Sequence, residues 1–166
     1  MRAACPAYLA TVMVSHLPLD ALPVPAGPSR LVLIGHPVAH SLSPRFQNAA
    51  LAAAGLAVRY EIADVDAADL DRVIEQIRRD GAAGNVTVPH KVAFAARCDV
   101  WSATASRVGA VNTFWVDGAG RLVGDNTDAG GFSAALRALV SPEQVREVAL
   151  IGAGGSAAAV VAAMAE

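Results

Sequence analysis

Cysteine is nearly missing from this sequence. Cys5 and Cys98 stand far apart and form neither a disulfide framework nor a Cys-x-x-Cys metal site, so a reducing, cytoplasmic location is the expectation. Charge is sparse as well. Asp, Glu, Lys and Arg make up 17% of the residues, the formal net charge is −2, and no basic run occurs; nucleic acid is therefore not expected as a partner. No apolar run reaches the ~20 residues that a membrane-spanning helix requires, so no membrane partner is expected. Aromatic residues are few, at 5%, and Trp101 and Trp115 read as packing residues. Lysine is the scarcest basic residue: Lys91 stands alone among twelve arginines. Arginine keeps its charge at all working pH values, whereas lysine can exchange a proton. A lone lysine in an arginine-rich chain is thus a candidate for acid–base chemistry, against the plainer reading of a solvated residue on a helical turn.

What remains is apolar and small. The chain is 54% hydrophobic over 166 residues, enough for one ordinary domain, or one domain plus a piece of another. Residues 2–14 faintly resemble a signal sequence, but Pro6 interrupts the apolar stretch and no cleavage site follows. Residues 1–29, with Pro18, Pro23, Pro25 and Pro28, read as a poorly ordered tail. From residue 30 the pattern turns regular. An apolar run at 30–35 ends in Gly35, as a buried parallel strand does. Ser43 and Pro44 read as the N-cap and first position of a helix that stops at Gly55. A strand at 58–65 follows, then a helix at 66–79 with Leu70, Val73, Ile74 and Ile77 on one face, closed by Gly81. A third strand leads through Asn85, Val86 and Thr87 to Pro89, which is expected to open the next helix. Asp117-Gly118-Ala119-Gly120 reads as a hairpin turn between 112–116 and 121–124. The rhythm predicts an α/β fold: an open, mostly parallel sheet with helices on both faces. Asn85, Thr87 and Lys91 would then lie at the carboxyl ends of the strands, where such sheets bind ligands.

A second signal closes the chain. An apolar run at 145–151 predicts another buried strand. It meets Gly152-Ala153-Gly154-Gly155-Ser156-Ala157 and an Ala/Val-rich helix. Strand, Gly-x-Gly-x-x-Ala, helix is the first β-loop-α of a Rossmann-type nucleotide domain: Gly152 for the turn, Gly154 for backbone approach to a pyrophosphate, Ala157 for close packing. The competing reading is a glycine-rich turn that binds nothing. The segment that separates NAD from NADP falls about twenty residues further on, beyond Glu166.

His40-Ser41-Leu42-Ser43-Pro44, Asn85-Val86-Thr87-Val88-Pro89-His90-Lys91, Gly109-Ala110-Val111-Asn112-Thr113 and Gly124-Asp125-Asn126-Thr127-Asp128, in this order and followed by Gly152–Ala157, resemble shikimate dehydrogenase from about residue 31 onward. The resemblance implies NADP-dependent interconversion of 3-dehydroshikimate and shikimate. It makes residues 30–130 the substrate domain and 131–166 an incomplete nucleotide domain. It implies that Ser41, Ser43 and Thr87 hold the substrate carboxylate, and that Asn85, Asn112, Lys91 and Asp128 meet the ring hydroxyls. Lys91 and Asp128 match the family's catalytic pair, with Lys91 as acid/base and Asp128 in support. Gly152, Ala153, Gly154, Gly155, Ser156 and Ala157 match its cofactor loop, and no metal is implied. A metal site at Asp125 and Asp128, with Asn126 and a histidine, is the weaker alternative. Gln47-Asn48 departs from the usual His-Asn of the family, and a basic residue after the glycine loop is missing. Family members continue for about another hundred residues, so the chain reads as a fragment or truncated product. Quinate/shikimate dehydrogenase, or a shikimate-binding module without turnover, are the rival readings; a homodimer is left open.

Overall fold

The computed structural model describes residues 15–17, 27–141 and 145–165. Cys5, the signal-like stretch and Pro18, Pro23 and Pro25 lie outside them. An interior strand, β2 (Leu31–Gly35), has Val32, Leu33 and Ile34 all buried, as expected of a strand covered on both faces. It pairs in parallel with β3 (Tyr60–Asp64) on one side and with β4 (Ala83–Val86) on the other. Between these strands run α1 (Ser43–Ala53), a short 3₁₀ turn at Ala67–Asp69, and α2 (Leu70–Asp80). Leu70, Ile74 and Ile77 of α2 are buried and Val73 packs beside them; the spacing fixes which stripe of the helix meets the sheet. Gly81 ends α2 in the left-handed region, with φ of 60°, a conformation that costs glycine little.

The chain continues through α3 (Lys91–Ala95), β5 (Val100–Ser102), α4 (Ala103–Val108), the hairpin β6 (Thr113–Val116) and β7 (Leu122–Asp125), α5 (Asp128–Leu139) and α6 (Gly155–Met164). A short β1 (Ser15–Leu17) pairs in parallel with β5, so the tail reading does not hold at residues 15–17. The sheet order is β1-β5-β7-β6-β4-β2-β3. Among the described strands only β6 runs against its neighbours, between β4 and β7. The fold is therefore α/β with a mostly parallel sheet. Phe94 and Phe114 meet at a ring-centroid distance of 4.8 Å in the main core.

Three local expectations need correction. Ser43 is the first helical residue rather than the cap; Leu42 occupies the cap with no side-chain bond, and the Ser43 N–H is met by Ser41 Oγ instead. Pro89 lies in the turn before α3, whose first residue is Lys91. The run at 145–151 forms no strand; Ile151 is fully exposed and Val148 half so. A buried parallel strand needs neighbours for its N–H and C=O groups on both sides, and no described strand pairs with this one. The following helix does form. Its Ala159 and Ala162 pack on Val108, Ala110 and Ala129 of the preceding segments, so α5, which spans the boundary expected at residue 130, carries α6 on its surface.

Cys98 gives a direct check on the core. Burial pushes its thiol up to about 12, which suppresses the reactive thiolate. Native protein treated with a maleimide at pH 8 is expected to stay unmodified at Cys98, with labelling at that residue only on unfolding, read by peptide mass spectrometry.

Candidate active site

Sheet register explains why residues distant in sequence share one corner. Because β6 runs antiparallel, its start lies beside the carboxyl ends of β4 and β7: Asn85 pairs with Thr113, and Thr113 with Asp125. The segments that leave these strand ends supply Thr87, Lys91, Asn112 and Asp128. Asn126 acts as a turn-former, its Oδ1 accepting the Asp128 N–H at 3.1 Å while its amide donates to the Ala110 carbonyl at 2.9 Å. That aims the first turn of α5 at α3.

Lys91 Nζ donates to Asp128 Oδ2 at 2.6 Å and to Ser156 Oγ at 3.1 Å. The lysine side chain is 11% exposed and the aspartate 32%. An ammonium has three donors, so a third remains for a ligand. The other carboxylate oxygen of Asp128 accepts from Asn112 Nδ2 at 2.7 Å. Asn112 also receives the Thr127 N–H at 2.9 Å on its Oδ1, which sets the orientation of its amide. Asn85 joins the same web, donating to the Asn112 carbonyl and to Thr113 Oγ1 at 3.3 and 3.2 Å. The structure thus brings Lys91, Asp128, Asn112 and Asn85 into one hydrogen-bonded group.

Ser41 and Ser43 form a cluster of their own at the entry of α1, with their hydroxyl oxygens 3.1 Å apart. Thr87 lies after β4, its N–H on the Ile34 carbonyl at 2.8 Å. Gly35 allows that approach: a Cβ there would stand 2.4 Å from Thr87 Cγ2, closer than any side chain tolerates. These three hydroxyls occupy the carboxyl end of β2 and β4, the end that also carries Lys91.

The glycine loop faces the same corner. A cavity of about 470 Å³ is lined by Lys91, Val88, Gly152, Gly154, Gly155 and Ser156 among others. Ala157 borders it too, whereas Ala153 borders a neighbouring hollow. Gly155 permits close contact, since a Cβ there would stand 2.9 Å from the Lys91 Cβ. Helix α6 begins with no side-chain cap and no acidic residue in its first turn, so its N–H groups are open to an anion such as a dinucleotide phosphate. Asp125 serves different partners from Asp128, namely the Ser102 hydroxyl and the Asn126 N–H; the two carboxylates do not share one site.

Several contributors were not visible in the sequence. Tyr60 OH donates to Asn85 Oδ1 at 2.7 Å, and burial pushes its phenol up to about 12, so it stays a donor at neutral pH. Asn48 in turn grips Tyr60, accepting its N–H and donating to its carbonyl, both at 2.9 Å. A tyrosine opening an edge strand carries no signal of such a role. Tyr60→Phe is expected to cost about 0.5–1.5 kcal/mol in urea unfolding, the usual net value of one hydrogen bond, by leaving Asn85 Oδ1 without its donor. His90 is buried in the turn before α3, its Nε2 2.6 Å from the Val65 carbonyl, a structural tie.

Comparison with known proteins finds one family repeatedly. A profile of the shikimate dehydrogenase substrate binding domain matches residues 33–114. The NADP(+)-dependent shikimate dehydrogenase of Symbiobacterium thermophilum is 46% identical over 136 residues, covering 81% of this chain and 46% of the relative. Among solved structures, the Thermus thermophilus enzyme in complex with NADP(H) and shikimate superposes with a TM-score of 0.72 at 42% identity, covering 82% of this chain and 51% of that one. The Aquifex aeolicus shikimate dehydrogenase gives 0.74 at 36% identity, covering 86% and 53%. The chain spans about half the length of the curated relatives it matches. Residues 33–114 are thus a shikimate dehydrogenase substrate binding domain, in a chain that is similar over about four fifths of its length to shikimate dehydrogenases.

Proposed function

We propose that this chain binds shikimate and 3-dehydroshikimate and, with a nucleotide half complete, interconverts them with NADP. The observation that carries the reading is the 2.6 Å contact between Lys91 and Asp128, 37 positions apart in sequence, with Lys91 on the wall of the cavity that the glycine loop also lines.

The ligand's chemistry suits what is there. The hydroxyls of Ser41, Ser43 and Thr87 offer uncharged donors to a carboxylate, and the amides of Asn85 and Asn112 offer donor and acceptor together, as ring hydroxyls require. NADPH, when bound, supplies the hydride. As negative charge grows on the ketone oxygen, the Lys91 ammonium faces it, stabilises it and passes on a proton; in the reverse direction the amine takes the proton back. Asp128 keeps the ammonium aimed, and Asn112 keeps Asp128 aimed. Uncapped amides at the start of α6, with small residues at 152, 154, 155 and 157, support a phosphate in the cavity.

The test is an isothermal titration of the chain with shikimate, run beside an NADP-linked assay on the same sample. Saturable binding that weakens when Ser41 and Ser43 are both changed to alanine is the expected result. Turnover by the unmodified chain would extend the reading to a competent enzyme, and binding without turnover would make this chain by itself a recognition module. No binding of shikimate would overturn it.

A further inference from the structure

The serine turn poses a problem of charge. Asp64 ends β3 and Asp66 follows it, so two carboxylates stand beside a turn that is to receive an anion. Uncompensated, they would oppose it. His36, just past β2, compensates both when protonated: its Nδ1 lies 2.6 Å from Asp64 Oδ1 and its Nε2 3.2 Å from Asp66 Oδ1. The remaining Asp64 oxygen accepts the Val38 N–H at 3.2 Å. The Val38 carbonyl accepts the Ser41 N–H at 2.9 Å, and Ser41 Oγ accepts the Ser43 N–H at 3.2 Å. A continuous hydrogen-bonded path therefore runs from the His36 ring to the serine pair.

We propose that Asp64, clamped by His36, is the positioning residue of Ser41 and Ser43: it fixes the turn in the shape that presents both hydroxyls to the carboxylate of a small hydroxy acid. The inference rests on the reading of these serines as carboxylate donors. Two pins hold the turn. One is apolar, the buried Val38 side chain against Leu33 and Tyr60; the other is Asp64 on the Val38 N–H. An apolar contact fixes depth but not direction, whereas the hydrogen bond is directional. The His36 and Asp64 side chains are 46% and 39% exposed, and exposed pairs add little stability, so the effect falls on geometry rather than on folding. In keeping with this, the His36 hydrogen bond and then the Val38 N–H hold the Asp64 carboxyl below its ordinary range.

The experiment follows backbone amide resonances of the ¹⁵N-labelled full chain during titration with shikimate. Asp64→Ala is expected to shift the Ser41 and Ser43 amides while those of Lys91 and Asp128 stay in place, and to weaken shikimate about tenfold, the scale of one lost hydrogen bond to a charged group. Asp64→Asn keeps an oxygen for the Val38 N–H and is expected to restore affinity to within about threefold of the unsubstituted chain. Unmoved Ser41 and Ser43 amides, unchanged affinity in Asp64→Ala, or equal losses in the two variants would overturn the proposal. Should Asp64→Ala lose the Lys91 and Asp128 resonances through unfolding, His36→Gln replaces it with the same readouts. If the unsubstituted chain binds no shikimate, the proposed function fails, and the amide shifts alone decide the role of Asp64.

Discussion

Lys91→Ala is expected to lower the rate of shikimate oxidation by about a hundred- to ten-thousandfold, the usual contribution of a positioned general acid or base. Because the chain spans about half the length of its relatives, the rate is read in a protein carrying these residues together with a full nucleotide domain. The fold should survive. The substitution removes an ammonium that is slightly exposed, and Asp128 keeps Asn112 as a partner and some access to water. Asp128→Asn is expected to lower the rate in the same direction, since a neutral amide accepts from the ammonium but draws it less strongly. Near-normal turnover by Lys91→Ala, with an unchanged circular dichroism spectrum, would remove the acid/base assignment.

Gly84→Ala is expected to produce the largest loss of stability, above about 3 kcal/mol, and to leave little folded protein. A Cβ at this position would stand 1.8 Å from the Val32 carbonyl oxygen and 2.8 Å from the Val32 nitrogen. Both atoms belong to the backbone of β2, which is paired on its two sides, so neither can move aside. The site would fail with it, because Asn85 is the next residue and takes its place from the register of β4. Thermal unfolding followed by far-UV circular dichroism is the measure; a midpoint within a few degrees of the unsubstituted chain would show that β2 and β4 do not meet as described.

Much of this was legible in the sequence, for reasons that differ between elements. From β2 to β4 each element declares itself locally: an apolar run for a buried strand, the Leu70, Ile74 and Ile77 stripe for a helix, Gly81 for a left-handed end. The run at 145–151 looks equally like a strand, yet it forms none, because pairing in a parallel sheet is set by neighbours that no local pattern contains. The opposite error occurs at Ser15–Leu17, too short and too close to prolines to stand out, and made a strand by β5 alongside. At the site, Lys91 and Asp128 could be singled out from lysine scarcity and from resemblance. The residues behind Asn85 and the serine pair could not. Tyr60 and Asp64 act through hydrogen bonds that exist only once β3 lies beside β2, and Ser156 reaches Lys91 only because Gly155 lets α6 come close.

The most direct test of the account is a crystal structure of this chain grown with shikimate. The ligand's carboxylate is expected on the Ser41 and Ser43 hydroxyls, with a ring hydroxyl within hydrogen-bonding distance of both Lys91 Nζ and Asp128. A ligand seated elsewhere, or lying in that corner with its carboxylate turned toward Lys91 instead, would contradict it.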